Sequence, residues 1–176
     1  MQKEYLPEKV SPYRMSEHGT SLDGIYLFKN MGRLNPSLAE IEGEVDVHLI
    51  FGTIEKQRTP FVKGRLSAWV KLQCQRCLCP FDYEIISDWL WGVVASEAEE
   101  VSLPKRYDPI YVDENGMLLL QDMIEDELIV NLPIVAMHDP EDCKAKLPLK
   151  AHDSEVEKEI RENPFKVIEF LHTKPK

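Results

Sequence analysis

The sequence predicts an α+β fold, in which an antiparallel β-sheet that could close into a barrel carries one packed acidic helix between irregular N- and C-terminal segments. Three segments between residues 45 and 93 alternate apolar and polar side chains, which is typical of strands with one buried face. Residues 118–131 instead repeat apolar side chains at helical spacing. The first forty residues hold many turn-forming glycines and prolines, so regular structure is expected mainly after them.

Each strand segment has an apolar set in which successive members are two residues apart. Such residues share one face of a strand, so each set is expected to face the core. Three strands of this length are enough for an antiparallel meander. A further short strand is expected at residues 108–113, followed by a turn at Asn115-Gly116. The three sets are Val45, Val47, Leu49 and Phe51; Leu66, Ala68, Val70 and Leu72; and Phe81, Tyr83, Ile85, Trp89, Trp91 and Val93.

The helix is predicted from an apolar stripe at Leu120, Ile124 and Leu128, and Pro133 is expected to end it. An acidic loop is expected at residues 97–100. We predict a single domain with three parts: a wrapped arm over residues 1–40 with one helical stretch at most, a core over 41–143, and a charged tail over 144–176. A short helix capped by Ser154 is expected in the tail.

Composition places the chain among cytoplasmic proteins. None of its 176 residues lies in an apolar run near the roughly 18 to 20 that a membrane span needs, and its start lacks the apolar centre of a signal peptide. Four cysteines, three of them within residues 74–79, make a poor disulfide framework. Since no long apolar run is present, a membrane is not expected as a partner. The sequence also has no phosphate-binding glycine loop, and a small-molecule substrate is not expected.

Charge is unevenly distributed along the chain. The net charge of −10 would ordinarily argue against a nucleic-acid partner. Residues 56–76, however, carry six cations and no acid, whereas residues 82–142 carry sixteen acids and two cations. This pattern suggests a bipolar protein with a different partner at each end.

The cysteines at the predicted turn between the second and third strands form a candidate metal site. Cys74 and Cys77 have the spacing of a zinc knuckle, and His138 and Cys143 could complete four ligands. A structural zinc ion is therefore a possible cofactor. The favoured interpretation is that the two thiols of the knuckle are buried and fix the turn, with His138 and Cys143 in unrelated roles.

A basic strand face is the candidate RNA-binding surface. Lys63, Arg65, Trp69 and Lys71 lie opposite the apolar set of the second strand, and Arg76 follows in the turn. A tryptophan flanked by cations suits single-stranded RNA, since bases stack on the ring while the cations take phosphates. The slightly favoured alternative is an ordinary solvated face whose tryptophan packs under a loop.

The acidic helix offers a third candidate site at Asp122, Glu125, Asp126 and Glu127. Carboxylates four residues apart, such as Asp122 and Asp126, could hold Mg²⁺ for RNA hydrolysis. No catalytic base or further metal-binding segment can be named with them. Docking of a basic protein is the better functional interpretation.

Many short motifs, spread over nearly the whole chain, carry one resemblance. The motifs are Met1-Gln2-Lys3 with Leu6-Pro7, Cys74-Gln75-Arg76-Cys77 with Pro80-Phe81, Leu103-Pro104 with Tyr107 and Pro109-Ile110, Glu125-Asp126-Glu127, Leu132-Pro133, His138-Asp139, Cys143 and Asn163-Pro164-Phe165. Together they resemble the YceD family, the large ribosomal RNA subunit accumulation proteins of bacteria.

The resemblance implies a role in the synthesis, processing or stability of 23S ribosomal RNA, and no catalytic residues. It places the family's Cys-x-x-Cys on Cys74 and Cys77, its acidic signature on Glu125–Glu127, and its downstream His and Cys on His138 and Cys143. Ala136, where a proline is expected, and the extra thiol Cys79 depart from the pattern.

We therefore expect a non-catalytic factor in large ribosomal subunit biogenesis. In this hypothesis the basic face touches ribosomal RNA, and the acidic helix engages a basic ribosomal protein or assembly factor. Two alternatives stay open: an adaptor that binds only protein, and a metal-dependent ribonuclease.

Overall fold

A five-stranded mixed β-sheet organises the fold. In this computed structural model, residues 4–55 and 58–144 are described, and they lie in one compact unit, Met1–Ala145. The elements in chain order are β1 (Lys9–Val10), α1 (Pro12–Glu17), β2 (Ser21–Leu27), β3 (Glu44–Ile54), β4 (Thr59–Gln73), β5 (Pro80–Val94), α2 (Glu97–Ser102), β6 (Asp108–Tyr111), β7 (Leu118–Leu119) and α3 (Leu120–Val130), with 3₁₀ turns at Phe28–Asn30 and Asn35–Ser37.

The strand order in the sheet is β2-β3-β4-β5-β6. Strands β2 to β5 pair antiparallel, and β6 pairs parallel with β5. Strands β1 and β7 form a separate antiparallel pair.

One face of the sheet is buried and the other is largely exposed. The apolar sets predicted for β3 and β4 are buried, and their interleaved polar residues are exposed or half-buried, which confirms the period-two pattern. Helix α3 packs on the buried side through the predicted stripe of Leu120, Ile124 and Leu128. The segment between β2 and β3 adds Phe28 and Met31 to the same core.

Two predictions about single elements are wrong. Residues 21–27 form the edge strand β2 instead of part of an irregular arm, and residues 97–102 form helix α2 instead of a loop.

The predicted α+β class is confirmed, and the sheet is mostly antiparallel. It is mixed because β6 runs parallel to β5. Within residues 4–55 and 58–144 the edge strands β2 and β6 do not pair with each other, so a closed barrel is not found there.

The expected tail, including the helix capped by Ser154, lies outside the described residues except for Lys144. No helix in the described part of the chain is long and apolar enough to cross a membrane.

Candidate metal centre and exposed strand face

The turn between β4 and β5 is tight and internally hydrogen-bonded. The amide of Leu78 donates to the carbonyl of Cys74 at 2.8 Å, and the amide of Cys74 donates to the carbonyl of Cys79 at 3.0 Å. Leu78 has a φ of 60°, a conformation that is uncommon for a residue with a side chain. The two hydrogen bonds fix this conformation, which turns Cys74 and Cys77 toward the same point.

Residues that follow α3 run back to this turn. The amide of Gln75 donates to the carbonyl of Ala136 at 2.8 Å, and Nη2 of Arg76 donates to the carbonyl of His138 at 2.8 Å. The His138 ring stacks on Phe81, with centroids 5.1 Å apart and planes 23° apart. These contacts place His138 beside Cys74 and Cys77.

All four predicted metal ligands come together. The candidate ligand atoms of Cys74, Cys77, His138 and Cys143 lie within 4.8 Å of one another. Sγ of Cys77 lies 3.8 Å from Nε2 and 3.9 Å from Nδ1 of His138. Zinc bonds of about 2.0–2.3 Å in a tetrahedron would place the ligand atoms roughly 3.6–3.8 Å apart. A contraction of about 1 Å at the longest separation would therefore fit the group to one ion.

The environment of Cys74 favours a thiolate, the form that binds metal. Burial by itself would raise the pKa of Cys74. Backbone hydrogen bonds from Cys77, Arg76 and His138 to its sulfur outweigh burial, and with the Cys77 side chain they lower the pKa of Cys74 to about 5. Cys79 is half-buried in the same turn, but its sulfur is not part of the group of four.

The outward face of β4 presents the predicted tryptophan and cations. Trp69 is 63% exposed, so the expectation that a loop covers it is wrong. Lys63 and Arg65 are exposed and Lys71 is half-buried on the same face. Arg76 does not belong to this face, because its guanidinium is bound to the carbonyl of His138.

Acidic neighbours on adjacent strands reduce the positive charge of this face. Nε of Arg65 lies 3.9 Å from Asp88, its cross-strand partner on β5. Nζ of Lys71 lies 3.8 Å from both Asp82 and Glu40. The cluster of cations seen in the sequence is therefore interleaved with acids in the folded protein.

A groove of about 410 Å³ lies beside Arg65, lined among others by Asp23, Asp46, His48 and Ser67. His48 forms a hydrogen bond with Asp23 of β2. The alternation in β3 places His48 on the face opposite the apolar set. Its partner Asp23 could not be identified from sequence because β2 was not predicted as a strand.

The four acidic residues of α3 have different roles. Glu125 is 4% exposed, and its Oε1 accepts hydrogen bonds from the amides of Arg33 at 2.7 Å and Leu34 at 2.9 Å. Its Oε2 accepts from Nε of Arg33 at 3.2 Å. Glu125 therefore anchors the segment between β2 and β3 to the helix and is not available on the surface.

The other three acidic residues of α3 are more accessible than Glu125. Asp126 is paired with Arg33, whose Nη2 also donates to the carbonyl of Asp122 at 2.7 Å. Glu127 is half-buried and accepts a hydrogen bond from Ser87 at 2.5 Å. Only Asp122 and Asp126 are exposed among the four, so the predicted docking surface is smaller than expected.

Comparisons with known proteins agree on one family. The family model described as "Large ribosomal RNA subunit accumulation protein YceD" matches residues 62–171, a range that contains all four residues of the candidate metal centre. A curated relative of that name from Haemophilus influenzae is 31% identical over 175 residues, covering 99% of this chain and 100% of the relative. No solved structure matches the chain.

Proposed function

Because the chain belongs to the YceD family of large ribosomal RNA subunit accumulation proteins, we propose that it acts in the cytoplasm as a factor in the synthesis, processing or stability of 23S ribosomal RNA. The protein acts by binding and catalyses no reaction. Its partners are 23S ribosomal RNA or its precursor, together with ribosomal proteins or assembly factors.

The exposure of Trp69 is the main observation that supports direct RNA contact. A tryptophan side chain is usually well buried, but this one is 63% exposed on the outward face of β4, the face that also carries Arg65 and Lys71. Bases stack on such a ring, and each stacked base contributes about 1–3 kcal/mol. Single-stranded or looped RNA is therefore the form that this face would bind.

The ion pairs of Arg65 and Lys71 do not prevent phosphate binding. The three pairs lie at the surface, where such pairs contribute about 0–1 kcal/mol each to stability. A phosphate can replace the carboxylate partner at little cost, but the neighbouring acids still oppose it. Binding should consequently be moderate and should depend on both stacking and charge.

A titration of the purified protein with fragments of 23S ribosomal RNA at several salt concentrations tests RNA contact. Trp69→Ala should weaken binding about 5- to 150-fold, the equivalent of one stacked base. Arg65→Glu with Lys71→Glu should weaken binding and flatten its salt dependence, because fewer counterions are released. The matched control, Arg14→Glu with Lys29→Glu, changes charge equally at exposed positions off this face. Unchanged binding by the Arg65 and Lys71 double variant would refute RNA contact here.

The acids beside the cations allow a test in the opposite direction. Asp82→Asn with Asp88→Asn removes the two β5 carboxylates that pair with Lys71 and Arg65 and leaves the pair of Lys71 with Glu40. This double variant should bind the same RNA more tightly than the wild type, with a steeper salt dependence. Weaker or unchanged binding would show that the phosphates lie elsewhere.

An adaptor for a basic ribosomal protein is the second candidate function, favoured by the exposed carboxylates of Asp122 and Asp126. It predicts that the protein retains purified large-subunit ribosomal proteins after nuclease treatment and has no affinity for naked RNA. Asp122→Asn with Asp126→Asn should reduce that retention, whereas the variants of the β4 face should not.

Hydrolysis of RNA at Asp122 and Asp126 is the least supported function. Arg33 contacts the side chain of Asp126 and the carbonyl of Asp122, so a fixed cation already lies where Mg²⁺ would have to bind. We expect no Mg²⁺-stimulated cleavage of RNA. Cleavage that is lost in Asp126→Ala would reverse this conclusion.

The cofactor in this proposal is a structural Zn²⁺ ion. Three thiols and one imidazole form a ligand set typical of structural zinc sites, and the structure holds those four groups together.

A further inference from the structure

We infer that Cys74, Cys77, His138 and Cys143 hold one Zn²⁺ as a clasp that fixes residues 131–144 to the turn between β4 and β5. The inference deepens the cofactor part of the proposed function and is independent of RNA contact. It assigns the metal, its ligands, and the part of the fold that depends on it.

The ligand set determines the kind of site. Three cysteine sulfurs and one histidine nitrogen supply all four positions of a tetrahedral zinc ion. A catalytic zinc ion keeps a position open for water or substrate, whereas a site closed by four protein ligands is structural. The metal would therefore hold the chain in place and take no part in a reaction.

Contacts that need no metal already position part of the site. The amide of Leu78 donates to the carbonyl of Cys74, and the amide of Cys74 donates to the carbonyl of Cys79, which fixes Cys74 in the turn. The imidazole of His138 is held by its stacking on Phe81. Two of the four ligands are thus oriented by contacts that involve no metal, which lowers the cost of ordering the site.

Residues 133–144 bury few apolar side chains. Asn131 is bonded to Ser87 and Glu127, and Leu132 and Ala136 pack against the core, but Ile134 is 98% exposed, and Val135 and Met137 are about half exposed. Hydrogen bonds from Gln75 and Arg76 to the carbonyls of Ala136 and His138 join the segment to the turn. A segment with so few buried contacts opens easily unless another interaction fixes it.

A metal ion can supply that interaction. Cys77 and His138 are 61 positions apart in the sequence, so one ion bound to both would join the turn directly to the segment that follows α3. Binding of a structural zinc ion adds directly to the stability of the part of the fold that it joins. The ion would consequently make the attachment of residues 131–144 depend on metal.

Metal content is the first test. Protein purified without a polyhistidine tag should contain one zinc ion per chain by mass spectrometry. Cys77→Ser and Cys143→Ser should lose it, whereas the matched control Cys79→Ser, which changes a thiol in the same turn, should keep it. Co²⁺ in place of zinc should show tetrahedral d–d bands and thiolate charge transfer. A chain without zinc even after incubation with the ion, or a Cys79→Ser protein that loses as much as Cys77→Ser, would overturn the inference.

Amide hydrogen exchange of the wild-type chain tests the clasp without relying on variants that could fail to fold. Removing the metal with a chelator should speed exchange at the amides of Gln75, Leu78 and Cys143 about tenfold or more, and exchange between β3 and β4 should not change. Equal rates with and without metal would show that zinc does not act as a clasp. Neither test uses RNA. If the zinc-loaded protein does not bind RNA, that result contradicts the proposed RNA contact and leaves the zinc inference unaffected.

Discussion

Replacing Glu125 by alanine should destabilise the fold by about 2–4 kcal/mol, because this buried carboxylate joins α3 to the segment before β3. Glu125 is 4% exposed and accepts three hydrogen bonds, two from the amides of Arg33 and Leu34 and one from Nε of Arg33. No other acceptor takes these amides in the variant unless the segment moves. The effect should therefore be large for the substitution of a single polar side chain.

The magnitude follows from the three donors. The amide of Leu34 is buried, and leaving it without an acceptor costs about 1–3 kcal/mol. The amide of Arg33 is partly buried and adds roughly 1 kcal/mol. The guanidinium of Arg33 is half exposed, so its ion pair with Glu125 adds little.

Urea denaturation of zinc-loaded protein measures the change. Glu125→Gln keeps one oxygen that can accept from both amides, and it should lose only about half as much stability. The control Asp126→Ala removes an exposed partner of the same arginine and should cost less than about 1 kcal/mol. In thermal unfolding, Glu125→Ala should lower Tm by about 5–15 °C for a chain of this size.

A small effect of Glu125→Ala would refute this assignment. If it and Asp126→Ala lose equal stability, the amides of Arg33 and Leu34 are not anchored by the helix. Glu125 would then be a surface residue available to a partner, which is the role that the sequence predicted for it.

Three other substitutions test the sheet and its surface. Gly64→Ala should cost about 1–3 kcal/mol, because its Cβ would lie 2.2 Å from the Trp89 ring, whereas Gly32→Ala, with no atom within 4 Å, should leave Tm nearly unchanged. Trp69→Ala should change the free energy of unfolding by less than about 0.5 kcal/mol, since its side chain is exposed; a larger loss in urea would place it in the core. Burial raises the pKa of the Tyr26 hydroxyl in the folded protein. As pH rises past about 10, this hydroxyl is therefore deprotonated in the unfolded chain before it is deprotonated in the folded one. The stability that protonated Tyr26 contributes is complete below that pH and is lost above it, and Tyr26→Phe should reduce the loss seen in alkaline urea titrations.

The strands and helix with strong periodicity could be predicted from sequence, and the missed elements lack that signal. Strand β2 contains Gly24, which indicated a turn; a Cβ there would lie 2.5 Å from the carbonyl oxygen of Glu4, so the glycine is needed for close approach of the N-terminal segment. Helix α2 buries none of its residues and shows no apolar stripe. Alternation also cannot tell a parallel neighbour from an antiparallel one, so the direction of β6 could not be read.

The candidate metal centre was accessible to sequence reasoning because its ligand types are rare and closely spaced in two pairs. What the sequence could not determine is that the pairs meet, since this depends on Gln75 and Arg76 binding the backbone of Ala136 and His138. The favoured interpretation, in which His138 and Cys143 have roles unrelated to the knuckle, therefore does not fit the structure.

Separation of charge along the chain is not separation of charge in space. The antiparallel register of β4 and β5 sets Arg65 opposite Asp88 and Lys71 opposite Asp82, which mixes the basic segment with the acidic one. Arg33, which belongs to neither residues 56–76 nor residues 82–142, pairs with Glu125 and Asp126 of the acidic helix. A purely electrostatic attraction to RNA is consequently weaker than the sequence implied, so the RNA contact that we propose for this face would depend on base stacking at Trp69. Removing that ring should therefore weaken RNA binding even at high salt, where the contribution of phosphate contacts is smallest.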